Sequence, residues 1–314
     1  MTLSINSSSI QVTEFLMICF PGMQDTQHWL SIPLTPLLVL ALGANMVLLM
    51  AIHREASLHE PMYYLLAILS LLDVILCLTV IPKVLIIFWF NMRSISFTGC
   101  FIQMFVMNSF LPMESSTFLI MAYDRYVAVC HPLHYPSIIT EQFVVKAAIF
   151  IIFRNLLITL PTPILAAWLN YCAGNIIQNC ICANISVARL SCGDIRLNKL
   201  YQFVSVWCLM GSDVVLILLS YCFILRAVLR LQSRGAATKA RSTCGSHLIL
   251  ILFFYTILLV VIFTNKAGKK VPVDVPILLN VLHHLIPPAL NPIVYGVRTQ
   301  EIKHGILKLL HYQK

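Results

Sequence analysis

Asp73 and Glu114 are carboxylic acids placed deep inside apolar runs, and Asp124-Arg125-Tyr126 sets an acid, a base and an aromatic at the end of another. An ionised acid in hydrocarbon needs a partner, water or a cation. Both acids fall mid-run, so they can converge on one cavity, with Asn45 and Asn291 as neighbours. The chemistry open to that group is the binding of sodium or a proton, in a polar cluster that repacks between two states. A purely structural polar network would use the same residues. Lys83, Arg154 and Asp213 also lie within apolar runs, and Arg154 and Asp213 are a candidate pair between the fourth and fifth. Asp124 and Arg125 belong at a membrane face, where their charges are least costly.

The elements that must position these groups follow from composition. The chain has 314 residues, 59% hydrophobic and 11% charged, against roughly 25% charged in a soluble protein. Its mean hydropathy is +0.87. This is the composition of a polytopic membrane protein in one integral domain, without a polar stretch long enough for a soluble catalytic domain. Seven apolar runs are expected at 29–52, 61–90, 98–130, 143–168, 199–230, 240–264 and 272–296. Each is long enough for a helix across ~30 Å of hydrocarbon, and helices meet their own backbone hydrogen bonds there. The fold class is an all-α membrane bundle of seven transmembrane helices. Prolines 82, 112, 161, 163 and 292 fall inside runs and are expected to bend them.

Charge orients the bundle. Residues 1–28 hold no Lys or Arg, whereas Arg54, Arg226, Arg230, Arg234, Lys239, Arg241, Arg298, Lys303 and Lys308 fall on the opposite side. Cytoplasmic retention of basic residues puts the N-terminus outside. Arg189, Arg196, Lys199, Lys266, Lys269 and Lys270 lie outside, so the rule acts as a bias. The net charge of +9 thus reflects loop topology, and no nucleic-acid partner is expected. The run Phe15–Phe20 is too short for a signal h-region and lacks a basic n-region, so the first span is expected to insert the chain. The organisation is an outer tail (1–28), the bundle (29–296) and a cytoplasmic segment (297–314). Within the last, Arg298 to Leu310 reads as an amphipathic helix, with Ile302, Ile306, Leu309 and Leu310 on one stripe and Lys303, His304 and Lys308 on the other. It is expected to lie along the inner leaflet.

The one long loop, 169–198, holds Cys172, Cys180, Cys182 and Cys192, and Cys100 starts the third span on the same face. Outside the cell disulfides are expected. Cys100–Cys182 would pin the loop over the bundle and Cys172–Cys192 would close it on itself; Cys180 is left over and competes with Cys182. A zinc site lacks His partners at ligand spacing. Asn6-Ser7-Ser8 and Asn184-Ile185-Ser186 are glycosylation sequons.

The words of the chain then carry a resemblance. Leu58-His59-Glu60-Pro61-Met62-Tyr63 runs on to Leu69-Ser70-Leu71-Leu72-Asp73. Met121 to Tyr135 surrounds the Asp-Arg-Tyr triplet. Ser220-Tyr221 closes span five, Lys239 to His247 opens span six, and Pro287-Pro288-Ala289-Leu290-Asn291-Pro292-Ile293-Val294-Tyr295 ends span seven. In this order they resemble the odorant receptors, within the rhodopsin-like G-protein-coupled receptors. Phe20-Pro21-Gly22-Met23, Arg189-Leu190-Ser191-Cys192-Gly193-Asp194 and Gly245 resemble the class I, fish-like branch, whose members often respond to polar volatiles including carboxylic acids. Ala44, Arg241 and Asn179-Cys180 depart from the family's usual residues.

The resemblance implies a plasma-membrane receptor that binds a small volatile odorant in the outer half of the bundle, between spans three, five, six and the long loop. Met107, Asn108, Leu111 and Pro112 of span three would line the cavity, with Ser205 and Leu209 of span five and Tyr255, Leu259 and Ile262 of span six. Asn108, Ser205 and Tyr255 would be its hydrogen-bonding groups. Lys266 either reaches down to an anionic ligand or snorkels to the interface. Tyr255 is a candidate hinge sensor. Asp124 would hold Arg125 at rest, and Arg125, Tyr126 and the basic foot around Arg241 would meet a stimulatory olfactory-type G protein that raises cAMP. Asn291-Pro292 would bend span seven, and Tyr295 would rearrange toward Tyr221. His131, His134 and His247 read as structural. An enzyme is disfavoured, because no metal-binding or phosphate-binding motif stands in a polar loop. A transporter would use the same intramembrane charges but would not explain the motifs. An amine receptor would need an acid where Met107 and Asn108 stand. No cofactor is expected apart from a sodium ion at Asp73 and Glu114.

Overall fold

The computed structural model describes residues 12–24, 26–172, 174–230, 234–267 and 270–311. Among them seven helical runs pack into one bundle. They are α1 (Ser31–Arg54), α2 (Pro61–Phe90), α3 (Phe97–Cys130), α5 with α6 (Glu141–Thr159 and Pro161–Ala167), α8 with α9 (Arg196–Val206 and Ser212–Arg230), α10 (Arg234–Ala267), and α11 with α12 (Asp274–His283 and Ile286–Arg298). A short α4 (Tyr135–Ile138) follows α3 on the inner side, α7 (Asn184–Ala188) lies in the long outer loop, and α13 (Gln300–His311) ends the described chain. Six runs are long and apolar enough to cross a membrane by composition alone. α3 falls short because Gln103, Asn108 and Glu114 dilute it. It can carry them because it sits at the centre, against α2, α5, α9 and α10.

Local sequence sets the boundaries. Ser96 Oγ accepts from Gly99 N at 3.1 Å to cap α3, and Thr140 Oγ1 accepts from Phe143 N at 3.2 Å to cap α5, each satisfying an N–H that the first turn leaves without a partner. Pro61 and Pro161 stand in the first turns of α2 and α6, where a missing N–H costs nothing. The fourth span breaks at Leu160 just before Pro161. The seventh breaks at His284–Leu285, two turns before the expected bend at Pro292, because consecutive Pro287 and Pro288 cannot donate to the carbonyls of His283 and His284. The freed His284 carbonyl accepts from Cys77 Sγ at 3.5 Å.

Two apolar cores stack along the bundle. The outer one gathers Phe15, Phe20, Phe88, Phe101 and Met104; the inner one gathers Leu65, Leu69, Phe118, Phe254 and Tyr295. Between them α3 buries Ser109, Glu114, Ser115, Ser116 and Thr117. Large apolar side chains such as Ile149, Phe153, Leu157, Val215 and Leu218 are exposed, as lipid-facing positions must be. Lys83 lies in the last two turns of α2, and its Nζ reaches the outer end to donate to the carbonyls of Met92 and Ser94 at 3.0 and 2.6 Å.

The outer tail is built, not loose. β1 (Glu14–Met17) pairs antiparallel with β2 (Ser94–Ser96) and parallel with β3 (Ile176–Ile177). Its period-2 alternation turns Phe15 and Met17 into the outer core, and Phe15 stacks on Phe97 with centroids 5.7 Å apart. Cys100–Cys182 and Cys172–Cys192 are disulfides, and Cys180 pairs with Cys19 of the tail, so it does not compete for Cys100. Asn184 is 1% exposed and its Nδ2 donates to Gln202 Oε1 at 2.9 Å, which leaves no room for a glycan. Asn6 lies outside the described residues.

At the inner end α13 turns its apolar stripe toward the protein and not the leaflet alone. Ile302 is fully buried in the inner core and Ile306 packs against it. Gly305 lies so close to Leu58 that a Cβ would sit 3.1 Å from its Cδ1. Lys308 Nζ bonds Glu55 Oε2 at 2.8 Å, and that hydrogen bond holds the Glu55 carboxyl below its usual pKa. The side chain of Leu310 lies outside the described residues.

The tail disulfide gives a direct test. In the wild type Cys19 should resist a membrane-impermeant maleimide on intact cells. Removing the bond with Cys19→Ser and Cys180→Ser together should lower stability by about 2–4 kcal/mol, read as a lower inactivation temperature in detergent.

Candidate ligand cavity and coupling site

A cavity of about 450 Å³ opens in the outer half of the bundle. Met107, Asn108, Leu111 and Pro112 of α3 line it, with Ser205 and Leu209 of the fifth span and Ile262 and Lys266 of α10. Two expected residues are elsewhere. Leu259 is 51% exposed on the outer face of α10, since the helix turns Leu258 and Ile262 to the cavity instead. Tyr255 lies deeper, its hydroxyl 2.6 Å from Ser115 Oγ. Span four and span seven contribute walls that the sequence reading left out, through Thr159, Thr162, Asn280 and His284. The i, i+4 polar pair Asn280/His284 in an apolar helix was a usable signal, as was Gln202, three residues before Ser205 and on the same face. Lys266 is exposed at the mouth.

Beneath the cavity lies a buried ion pair. Arg154 Nη1 donates to Asp213 Oδ1 at 2.8 Å and to Ser116 Oγ at 3.0 Å. Its Nη2 donates to the carbonyls of Cys208 and Leu209, each at 3.1 Å, and to Ser212 Oγ at 2.7 Å. Those carbonyls belong to a π-helical turn, Trp207–Gly211, where the widened ring displaces the ordinary i−4 donors. The guanidinium supplies what the bulge removes. Ser115 and Ser116 each donate to Asp213 Oδ2 at 2.9 Å. With the Ser115 proton used on Asp213, the Tyr255 hydroxyl must donate to Ser115, so spans three, four, five and six share one network.

A second polar group joins spans two, three and seven. Asn291 Nδ2 lies 3.2 and 3.0 Å from the two Asp73 oxygens, and Glu114 is a second buried carboxyl, near enough to Asp73 for the two acids to interact. Glu114 Oε1 is buried without a partner among the described residues. Asn45 does not join: its Nδ2 donates to Ala41 O at 2.9 Å and Pro288 O at 2.8 Å. Pro292 has no N–H for the Pro288 carbonyl, and Asn45 fills that vacancy.

At the inner mouth Arg125 Nε donates to Asp124 Oδ2 at 2.8 Å, and Tyr135 OH donates to Asp124 Oδ1 at 2.9 Å. Burial, then the Asp124 carboxylate, raises the Tyr135 phenol above its ordinary range, so it stays a donor. Tyr126 OH meets His131 Nε2 at 3.3 Å. Tyr221 OH bonds His247 Nδ1 at 2.8 Å, while the Tyr295 hydroxyl is buried without a partner among the described residues; the two tyrosines are not joined. Arg241 lies in α10, but its side chain is outside the described residues.

A seven-helix membrane bundle with a closed inner Asp–Arg lock and an outer cavity is the architecture of the rhodopsin-like G-protein-coupled receptors. Squid rhodopsin superposes with a TM-score of 0.73 over 91% of this chain and 80% of that one, at 15% identity, which speaks for the fold alone. The olfactory receptor family model matches residues 34–313. Human olfactory receptors 56A1 and 56A4 are 70% and 67% identical to this chain, each over 97% of it and over 96% and 97% of their own lengths. Mouse olfactory receptor 56B34 is 50% identical over 97% of this chain and 94% of its own. The chain belongs to the olfactory receptor family. It is a multi-pass plasma-membrane receptor and not an enzyme, with an odorant and a heterotrimeric G protein as its partners.

Arg154→Ala strands the fully buried Asp213 carboxylate and should cost about 3–5 kcal/mol, whereas Asp213→Ala leaves a guanidinium that is partly exposed and should cost less. Tyr255→Phe removes one hydroxyl and should cost about 1 kcal/mol. Thermal inactivation of detergent-solubilised receptor ranks the three; equal losses would contradict the assignment.

Proposed function

We propose that the cavity binds a small volatile odorant, and that binding activates a stimulatory olfactory-type G protein and raises cAMP. The observation that carries this reading is a shared wall. Leu209 and Thr159 line the cavity, while the Leu209 carbonyl accepts from Arg154 and the Thr159 hydroxyl meets Ser109 Oγ at 2.7 Å. A ligand that presses on this wall acts on the network holding Tyr255 of α10, so it can favour one arrangement of that helix by differential affinity. Displacement of α10 at its inner end would take His247 from Tyr221 and free Arg125 for the G protein.

Asp73, Glu114 and Asn291 would hold a sodium ion or a proton. The unpartnered Glu114 Oε1 and the burial of two acids side by side fit one positive charge or one shared proton. That charge would lower the cost of burying two acids together and favour the resting packing. Lys266 at the rim would serve anionic ligands as a point charge.

Two measurements test this reading in cells carrying the olfactory G-protein α subunit and a cAMP reporter. A panel of small acids, ketones, esters and alcohols should give a concentration-dependent response that Arg125→Ala abolishes at unchanged surface expression. Lys266→Ala should abolish responses to acids and leave those to neutral volatiles; an unchanged acid response assigns Lys266 to the interface.

A further inference from the structure

Two polar groups of the cavity wall, His284 and Ser205, present acceptors to it. His284 is 94% buried, being 6% exposed, and lines the cavity. Its Nδ1 lies 2.7 Å from the Asn280 carbonyl. A carbonyl can only accept, so Nδ1 carries the proton. The cavity has no acidic side chain among its described lining residues, and an unpaired buried imidazolium would cost several kcal/mol. The ring is therefore neutral, and Nε2 is a bare acceptor with no partner among the described residues. Ser205 points the same way, since its hydroxyl donates to the Gln202 carbonyl at 3.0 Å, which leaves lone pairs for the cavity. Asn108 spends one of its amide hydrogens on the Met104 carbonyl at 2.8 Å.

We infer that His284 is a specificity-determining residue of this cavity, accepting a hydrogen bond from a neutral hydroxyl-bearing ligand such as a small alcohol or phenol. The inference rests on the proposed odorant reading of the same cavity and names the ligand class for it. A ligand that donates satisfies Nε2. An ether or ketone of the same size leaves that nitrogen desolvated and unpaired, a penalty that a buried acceptor imposes in full. Discrimination should therefore exceed what the apolar wall achieves between two ligands of equal volume. Ionised acids belong to a different place, since their charge is met by Lys266 at the mouth and they bring no donor to His284.

The test uses the full-length receptor at the cell surface with the cAMP reporter and matched sets: an alcohol, its methyl ether and the ketone of equal chain length. The wild type should respond to the alcohol at a concentration about three- to tenfold lower than to the ether or ketone. His284→Phe should remove that advantage and bring alcohol, ether and ketone to equal potency, the alcohol losing its acceptor and the ether losing its penalty, and surface expression with a retained ether response shows that the variant folds. His284→Gln, whose side-chain carbonyl reaches a similar position to Nε2, should restore part of it. Equal wild-type potencies for alcohol and ether, or an advantage that survives in His284→Phe, overturn the inference and leave the receptor reading standing. Silence of the whole panel from a receptor confirmed at the surface overturns both.

Discussion

In hydrocarbon a backbone carbonyl or N–H that loses its helical partner finds no water to replace it, and each such loss costs several kcal/mol. This bundle departs from regular helix at several places, and at three of them a side chain supplies a donor. The Pro288 carbonyl, orphaned by Pro292, receives Asn45. The His284 carbonyl, orphaned by Pro288, receives Cys77. The carbonyls of the π-helical turn in span five receive Arg154. These repairs decide which helices must stay neighbours. Asn45 ties span one to span seven, Cys77 ties span two to span seven, and Arg154 ties span four to span five. Interhelical hydrogen bonds are modest one by one in a membrane, but an unrepaired break is not, so the irregularities fix the packing more firmly than apolar contact would.

The same constraint explains why charge is tolerated between the two apolar cores. Arg154 is useful as a donor fork because its guanidinium can serve carbonyls and a carboxylate at once. Asp213 is the counter-charge that makes its burial affordable, and Ser115 and Ser116 complete the carboxylate's shell. Tyr255 is attached to that shell by one hydroxyl. Span six is thus joined to a three-helix assembly through a contact worth roughly one ordinary hydrogen bond, and it is the helix proposed to move.

Much of this was legible in the chain. Seven apolar runs, the Asp-Arg-Tyr triplet and the loop cysteines located the spans, the lock and two of the disulfides. The third disulfide was not legible, because Cys19 lies 161 residues from Cys180 and only the three-stranded outer sheet brings them together. Its strand was written in the alternation Glu14-Phe15-Leu16-Met17, which an apolar reading of Phe15 to Phe20 concealed. Leu259 was misplaced by about one helical step, the resolution at which period 3.6 fails without a known facing helix. Asn45 was grouped with Asp73 on polarity, when a proline in another span had already claimed its amide. His284 was overlooked because its neighbours Pro287 and Pro288 read as a family word and drew attention from the residue whose carbonyl they release.

The size of an odorant bounds how such a receptor can switch. A small ligand yields between about −0.3 and −1.5 kcal/mol for each non-hydrogen atom, so a volatile of some ten atoms commands at most about 3–15 kcal/mol. Moving an equilibrium from 1:99 to 99:1 takes about 5.5 kcal/mol of differential affinity, and only the part of binding that differs between the two arrangements counts. Breaking the Arg154–Asp213 pair would cost about 3–5 kcal/mol, nearly as much as the whole differential affinity such a switch needs. A receptor of this kind can ask its ligand for the Tyr255–Ser115 contact, and for the Tyr221–His247 contact one layer below. In the proposed mechanism the ionic centre and the hydroxyl ties around it are therefore one arrangement: the first would fix the cavity wall against a weak ligand, and the second would leave span six responsive to it.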